Sequence, residues 1–205
     1  MKNVSLIFIL LIGYSYISKA QTVTIGTQVW MTKNLDVSTF RNGDPIPEAK
    51  TKEEWESAGN NKQPAWCYYD NDPANGAKYG KLYNWYAVND SRGLAPDGYH
   101  IPSDAEWTKL TDFLGGEAVA GTKMKSNSGW EENGIGTNSS GFSGLPGGDR
   151  NVNGFFHFIG FYCTWWSSTE NYNSGCYRHL NYSYGYVKRN HYSMGCGLSV
   201  RCLRD

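Results

Sequence analysis

The sequence predicts an α+β fold of few short helices, short antiparallel strands and long packed loops. Three observations carry that prediction. Aromatic residues make up 15 % of the chain and Gly contributes 24 of 205 residues, whereas charged residues reach only 19 %. A helical bundle needs more Leu, Ala, Glu and Lys than this. The stretch Gly98-Tyr-His-Ile-Pro-Ser-Asp-Ala-Glu-Trp-Thr-Lys-Leu110 reads as an extended entry into a capped helix. Beyond Gly154, strand-like runs alternate with turn residues at short spacing, which favours antiparallel pairing.

The elements follow in order. Residues 1–20 read as a secretory signal peptide: Lys2 gives a positive start, Val4 to Ile12 is almost wholly apolar, and Ser18-Lys19-Ala20 offers small residues before a cut at Gln21. The apolar run is too short to span a bilayer of about 30 Å. Residues 21–205 then form one domain, secreted, periplasmic or at the cell surface. Thr22 to Ile25 and Gln28 to Met31 alternate around Gly26-Thr27 as a hairpin. Thr51-Lys-Glu-Glu54 is a capping box ahead of Trp55, starting a helix ended by Gly59-Asn60. Pro64 to Tyr69 is strand-like and runs into a polar, turn-rich loop, Asp70 to Gly76. Leu82, Trp85 and Tyr86 recur at helical spacing.

In the central stretch, Pro102 keeps His100-Ile101 extended. Ser103 is the N-cap, and Glu106 completes a second capping box. Trp107, Leu110 and Leu114 form a buried stripe, and Gly115-Gly116 ends the helix. Gly115 to Asn153 is rich in Gly, yet Trp130, Phe142 and Leu145 recur through it, as in a long loop packed on a core. The remainder reads as strands: Gly154 to Tyr162, Cys163 to Thr169, a hairpin of Cys176 to Leu180 with Gly185 to Arg189, and Gly197 to Leu203.

The net charge is zero, which argues against a nucleic-acid partner. Five Cys are present: Cys67, Cys163, Cys176, Cys196 and Cys202. Export permits disulfides, and at least one is expected among Cys163, Cys176, Cys196 and Cys202. A buried thiol ranks second and a metal site last, since no C-x-x-C occurs. His100, His157, His179 and His191 sit in no hydrolase frame. His100 reads as a hydrogen-bonded core residue.

No cofactor is expected, with calcium the exception to weigh. Asp149, Asn151 and Asn153 supply oxygens at positions one, three and five of an EF-hand-like loop, with Gly154 at six, but position twelve is Gly160 and the bidentate Glu is missing. Asp70 and Asp72 lie in a second oxygen-rich loop. The bland reading of both is a turn. The aromatic cluster is the ligand-binding candidate: Trp166, Tyr172, Tyr177, Tyr182, Tyr184 and Tyr186, with Trp165 and Tyr192 beside them. Alternation puts Tyr182, Tyr184 and Tyr186 on one face. Exposed, such rings suit a sugar or a protein partner. Trp165 and Trp166 are adjacent, so at least one of them belongs to the core.

Seven blocks together carry a resemblance. They are Trp30-Met-Thr-Lys-Asn-Leu35, Trp66-Cys-Tyr-Tyr-Asp70, Tyr79-Gly-Lys-Leu-Tyr-Asn-Trp85, Gly98 to Trp107, Gly141-Phe-Ser-Gly-Leu-Pro-Gly-Gly148, Trp165-Trp-Ser-Ser-Thr169 and Ser199-Val-Arg-Cys202. They look like the major paralogous domain of Fibrobacter succinogenes, over nearly all of residues 21–205. Members of that family are typically secreted or surface proteins. Ile101 to Trp107 and the terminal Ser-Val-Arg-Cys are also similar to sulfatase-modifying, formylglycine-generating domains. That likeness implies a C-type-lectin-like fold. Enzymes of that type carry two copper-binding Cys five positions apart. Cys176 matches the first, but Asn181 stands where the second belongs, and one thiolate cannot make a two-coordinate copper(I) site.

The expected function is non-catalytic recognition of a glycan or protein, or a role in a surface assembly. The alternative is an enzyme of formylglycine-generating descent with altered chemistry. A pocket joining Cys176 to another thiol or a His would favour the enzyme.

Overall fold

The computed structural model describes residues 21–134 and 136–205; the signal-peptide expectation for residues 1–20 lies outside them. Thr22–Ile25 (β1) and Gln28–Met31 (β2) pair as the expected hairpin. Lys52–Asn60 (α1) follows Thr51, whose capping box with Glu54 is formed in both directions. Trp66–Cys67 (β3) is shorter than the sequence suggests and gives way to a single 3₁₀ turn at Tyr69–Asn71. The expected polar loop is in part a helix, Pro73–Tyr79 (α2), started by Asp72 as N-cap and Pro73 at the first position. Leu82–Tyr83 (β4) and Trp85–Val88 (α3) divide the next segment between a strand and one turn of helix capped by Asn84.

Tyr99–His100 (β5) enters Asp104–Phe113 (α4), and the Ser103–Glu106 capping box is complete. A further helix, Glu117–Met124 (α5), begins within the Gly-rich region that reads as loop in sequence. Gly116 caps it without a side chain, so no polar N-cap residue marks it. The last strands are Gly147–Arg150 (β6), Phe156–Ile159 (β7), Tyr162–Asn171 (β8), Ser174–Asn181 (β9), Val187–Ser193 (β10) and Leu203–Arg204 (β11).

Short helices thus combine with sheets that are mostly antiparallel, giving the expected α+β class. One sheet has the order β1-β2-β11-β5, so strands from both ends of the described chain pair at Leu203 and Trp30. The larger sheet has the order β10-β9-β8-β6-β7, with β6 and β8 parallel. On the inner face of that sheet Cys163, Trp165, Leu180 and Val187 join Trp107, Leu110 and Phe142 in one core cluster. A second cluster gathers Trp66, Tyr83, Trp85, Trp166, Leu198 and Val200.

The disulfide expectation is corrected. All five Cys are buried free thiols. Cys163 lies in the first cluster, Cys196 and Cys202 in the second, and Cys67 in a third with Trp55 and Leu82. The strands bring the C-terminal segments together without joining any two thiols: Cys196 and Cys202 share one cluster, Cys163 lies in another and Cys176 lies in neither. Burial pushes the thiols of Cys67, Cys196 and Cys202 up to about 12.

Among the described residues, no helix is long and apolar enough to cross a membrane.

Candidate functional site

The expected binding residues separate into four places. Trp166 is 0 % exposed and donates its indole N–H to the carbonyl of Tyr83 at 2.8 Å. It therefore offers no face to a ligand, and neither does Trp165, also fully buried. Tyr172 stands alone at the β8–β9 turn, 91 % exposed, with a left-handed backbone at φ 52°. Tyr182 packs edge-on against Phe161 and onto the inner core. Tyr184 and Tyr186 stack on one another at 4.9 Å in the β9–β10 loop. The strand alternation expected for 182, 184 and 186 fails because these residues form the connection between the strands, where period two does not apply. That loop is held from below by Lys125, a buried residue whose Nζ donates to the carbonyls of Asn181, Tyr182 and Tyr184.

Tyr177 leads to the fullest arrangement. Strand alternation turns Cys176, Arg178 and Leu180 toward the inner core, and turns Tyr177 and His179 outward. Tyr177 lies 5.6 Å from Tyr192 on β10 and 6.4 Å from His179, ring centre to ring centre, with the latter pair parallel. His179 meets Tyr162 on β8 at 4.8 Å, Tyr162 stacks on Phe158 on β7 at 4.3 Å, and Phe158 meets His157 at 5.5 Å. Six rings thus form a row from β10 to β7. Each is half-buried or exposed. Phe158 holds φ at 66°, a conformation unusual for an aromatic residue, and its ring is exposed in doing so.

Two polar groups in this region lack a hydrogen-bond partner among the described residues: Asp149 Oδ1 and His179 Nε2. Asp149 is buried on β6 opposite His157, whose Nδ1 is 3.8 Å away. Burial pushes its carboxyl up to about 7. Burial, assisted by Lys188, holds the His179 imidazole down near 4. The phenol of Tyr177 is raised by burial and then by Asp149.

The calcium candidates do not gather. Asp149 is buried in its strand, Asn151 accepts from the Phe155 amide within its own turn, and Asp72 caps α2 through Ala74. Asp70 is exposed at φ 53°. Among the described residues no group of three or more His, Cys, Asp or Glu is positioned to hold a metal ion.

A groove of about 350 Å³ lies elsewhere, where Arg41, His100, Glu106 and Ser168 stand beside Val88, Leu94 and Ile101. His100 is half-exposed there and not in the core, as its sequence setting suggests. Its imidazole is fixed by Glu106 Oε1 at 2.9 Å and Asp205 Oδ1 at 2.8 Å. Arg41 donates to the carbonyls of Ala95 and Tyr99. These groups satisfy one another, whereas the aromatic row leaves Asp149 and His179 unpaired.

Sequence reading includes Tyr177 and Tyr192 among the aromatic candidates, weighs Asp149 only for calcium and His157 and His179 only for a hydrolase frame, and does not include Tyr162 and Phe158. The strand alternation of β8 and β9 carries that signal. What sequence lacks is the pairing of β6 and β7 beside them.

A family model described as Fibrobacter succinogenes major domain matches residues 23–204. No curated protein and no solved structure matches the chain, so the likeness to sulfatase-modifying domains gains no support.

Proposed function

The chain belongs to the Fibrobacter succinogenes major domain family, and on that footing we propose that it is a recognition module binding a glycan through the outer face of its five-stranded sheet. The observation that supports this reading is the row of rings from Tyr192 to His157, which starts on the second core cluster at Tyr177 and Tyr192 and reaches the surface most fully at Phe158. A sugar ring has an apolar C–H face that stacks on such platforms, and hydroxyls that seek polar partners. Asp149 and His179 each keep a buried polar atom without a hydrogen-bond partner among the described residues, beneath the row and out of direct reach of a ligand, so the hydroxyls are met by the exposed edges of the tyrosines. The module acts outside the cytoplasm, in keeping with the leader-like residues 1–20. Calcium is not required for this mode of binding.

The experiment is a glycan array followed by titration, with and without chelator. Tyr177→Ala and Tyr162→Ala each weaken binding at least tenfold, as truncation of a stacking anchor does. Undiminished binding by both variants, with their folds intact, sinks the reading.

A further inference from the structure

Cys176 on β9 and His191 on β10 are direct cross-strand partners. The Cys176 Sγ lies 3.3 Å from Nδ1 of His191. The other nitrogen of that ring, Nε2, is 2.9 Å from the side-chain amide of Asn171 at the end of β8. Three adjacent strands thus contribute one residue each: a thiol, an imidazole within hydrogen-bond reach of it, and an amide that orients the imidazole. Nucleophile, base and orienter in that relation are the working parts of thiol-based acyl transfer. The amide meets Nε2–H with its oxygen after a half-turn of the side chain, which leaves Nδ1 as the acceptor facing sulfur.

The surroundings set Cys176 apart. The other four thiols lie within the core clusters, and among the described residues only the Cys176 thiol is within hydrogen-bond reach of an imidazole. Cys176 is covered, but its partner His191 is exposed. Arg189 stands two residues along β10, half-exposed, with its guanidinium on Asp104 at 2.7 Å. Burial and then Asp104 raise the Cys176 thiol, and the charges of Arg189 and Arg178 oppose them without prevailing. These residues belong to the register opposite to Tyr177 and His179, so this cluster is separate from the aromatic row.

We propose that Cys176, His191 and Asn171 form an acyl-transfer site that hydrolyses small activated esters or thioesters. Rotation of the exposed His191 ring admits the acyl group. Nδ1 takes the thiol proton as Sγ bonds to the carbonyl carbon and the carbonyl oxygen gains the charge. The bond from that carbon to the leaving oxygen or sulfur breaks, and the imidazolium returns its proton to the leaving group. Water then attacks the acyl-thioester and gives its proton to His191, the carbon–sulfur bond breaks, and the sulfur is reprotonated. The net change is ester plus water to acid plus alcohol, with nothing oxidised or reduced.

The test uses the full chain with p-nitrophenyl acetate, following nitrophenolate release and mapping the acetyl group by peptide mass spectrometry. The expected result is acetylation at Cys176. It slows at least 100-fold in His191→Gln, the scale of a lost general base, and about tenfold in Asn171→Ala, with melting temperatures near that of wild type. Should these variants fail to fold, iodoacetamide footprinting of the native wild-type protein decides: Cys176 alkylates ahead of the other four thiols. Nitrophenolate release without a Cys176 adduct, equal acetylation in folded His191→Gln, or alkylation of Cys176 no faster than its neighbours overturns the proposal. None of these readouts depends on glycan binding.

Discussion

Arg201 is a fully buried guanidinium held by oxygens that carry no formal charge. It donates to the side-chain oxygen of Asn34 from two nitrogens and to the carbonyls of Met31 and Phe142, and it stacks on Phe142 at 4.6 Å. Burial lowers it to about 10. Asn34 also accepts from the Trp165 indole and donates to Tyr79 O and Ser199 Oγ. One residue therefore ties together four of the seven sequence blocks that carry the family likeness, which makes those blocks structural. Asn34→Ala should cost about 3 kcal/mol or more, because hydrogen bonds to a buried charge are among the strong ones; urea unfolding checks it. Asp149 has the opposite character. Its folded carboxyl keeps a proton up to about pH 7, while in the unfolded chain it releases one near 3.8. Unfolding thus releases a proton between those values, and stability falls as pH rises through that window and then levels off. Asp149→Asn should abolish this slope and stabilise the protein by at most about 4 kcal/mol at pH 8, read from melting curves across pH. Tyr184 is 49 % exposed, so Tyr184→Ala should leave stability nearly unchanged. In glycan titration it serves as the control for the loop platform against the sheet face.

At the scale of elements, α4 shows how far a local motif reaches. Glu106 accepts from Ser103 N and Oγ through one oxygen and holds His100 through the other. The capping box therefore also ties β5 to the start of the helix. Ser103→Ala should cost on the order of 1 kcal/mol. Trp107→Ala should cost roughly 3–5 kcal/mol, since its ring lies 4.7 Å from Trp30 and 5.7 Å from Trp165 and nothing fills the space it leaves. The His100 clamp adds a pH dependence. Burial disfavours its charge, but hydrogen bonds to Asp205 and Glu106 outweigh this and raise it above 6.5. Glu106 is lowered below 4.5: burial opposes this, but its bonds to Ser103 and His100 prevail. The His contribution is whole below pH 6.5 and fades as pH rises through the folded value. The Glu contribution is whole above 4.5 and fades as pH falls through its own folded value. The clamp is therefore strongest between about pH 4.5 and 6.5, and His100→Gln should flatten the melting temperature above that window. Of the helices, α1 and α4 are legible from their capping boxes. α5 is not, because Gly116 caps it with no side-chain signal. α2 does carry a signal in Asp72-Pro73, but Asn75 and Gly76 pull the reading toward a turn.

Across the whole molecule, cohesion comes from buried aromatics and buried cations on carbonyls, without crosslinks. Arg150 repeats the pattern of Arg201: it donates to Ala49 O, Thr51 O and Gly154 O and lies between Trp55 and Phe156. The native protein should show an unchanged melting temperature in dithiothreitol, and thiol titration after denaturation should count five, one for each free Cys. A shift with reductant would restore the disulfide expectation. Composition, capping boxes and strand alternation were enough, without coordinates, to establish the α+β class, the position of α4, the β9–β10 hairpin and the burial of Trp107. The caps and the hairpin depend on residues near in sequence and are written in local spacing, and the apolar stripe of α4 marks Trp107 for burial although its partners Trp30 and Trp165 are remote. Tertiary structure alone decided that the thiols stay apart, which tyrosines face outward, and what stands beside them. The aromatic row draws on β7, β8, β9 and β10 with Asp149 on β6, and the Cys176–His191–Asn171 cluster draws on three strands. The register and order of paired strands are set by packing between residues far apart in sequence, and no local pattern encodes which strand becomes whose neighbour.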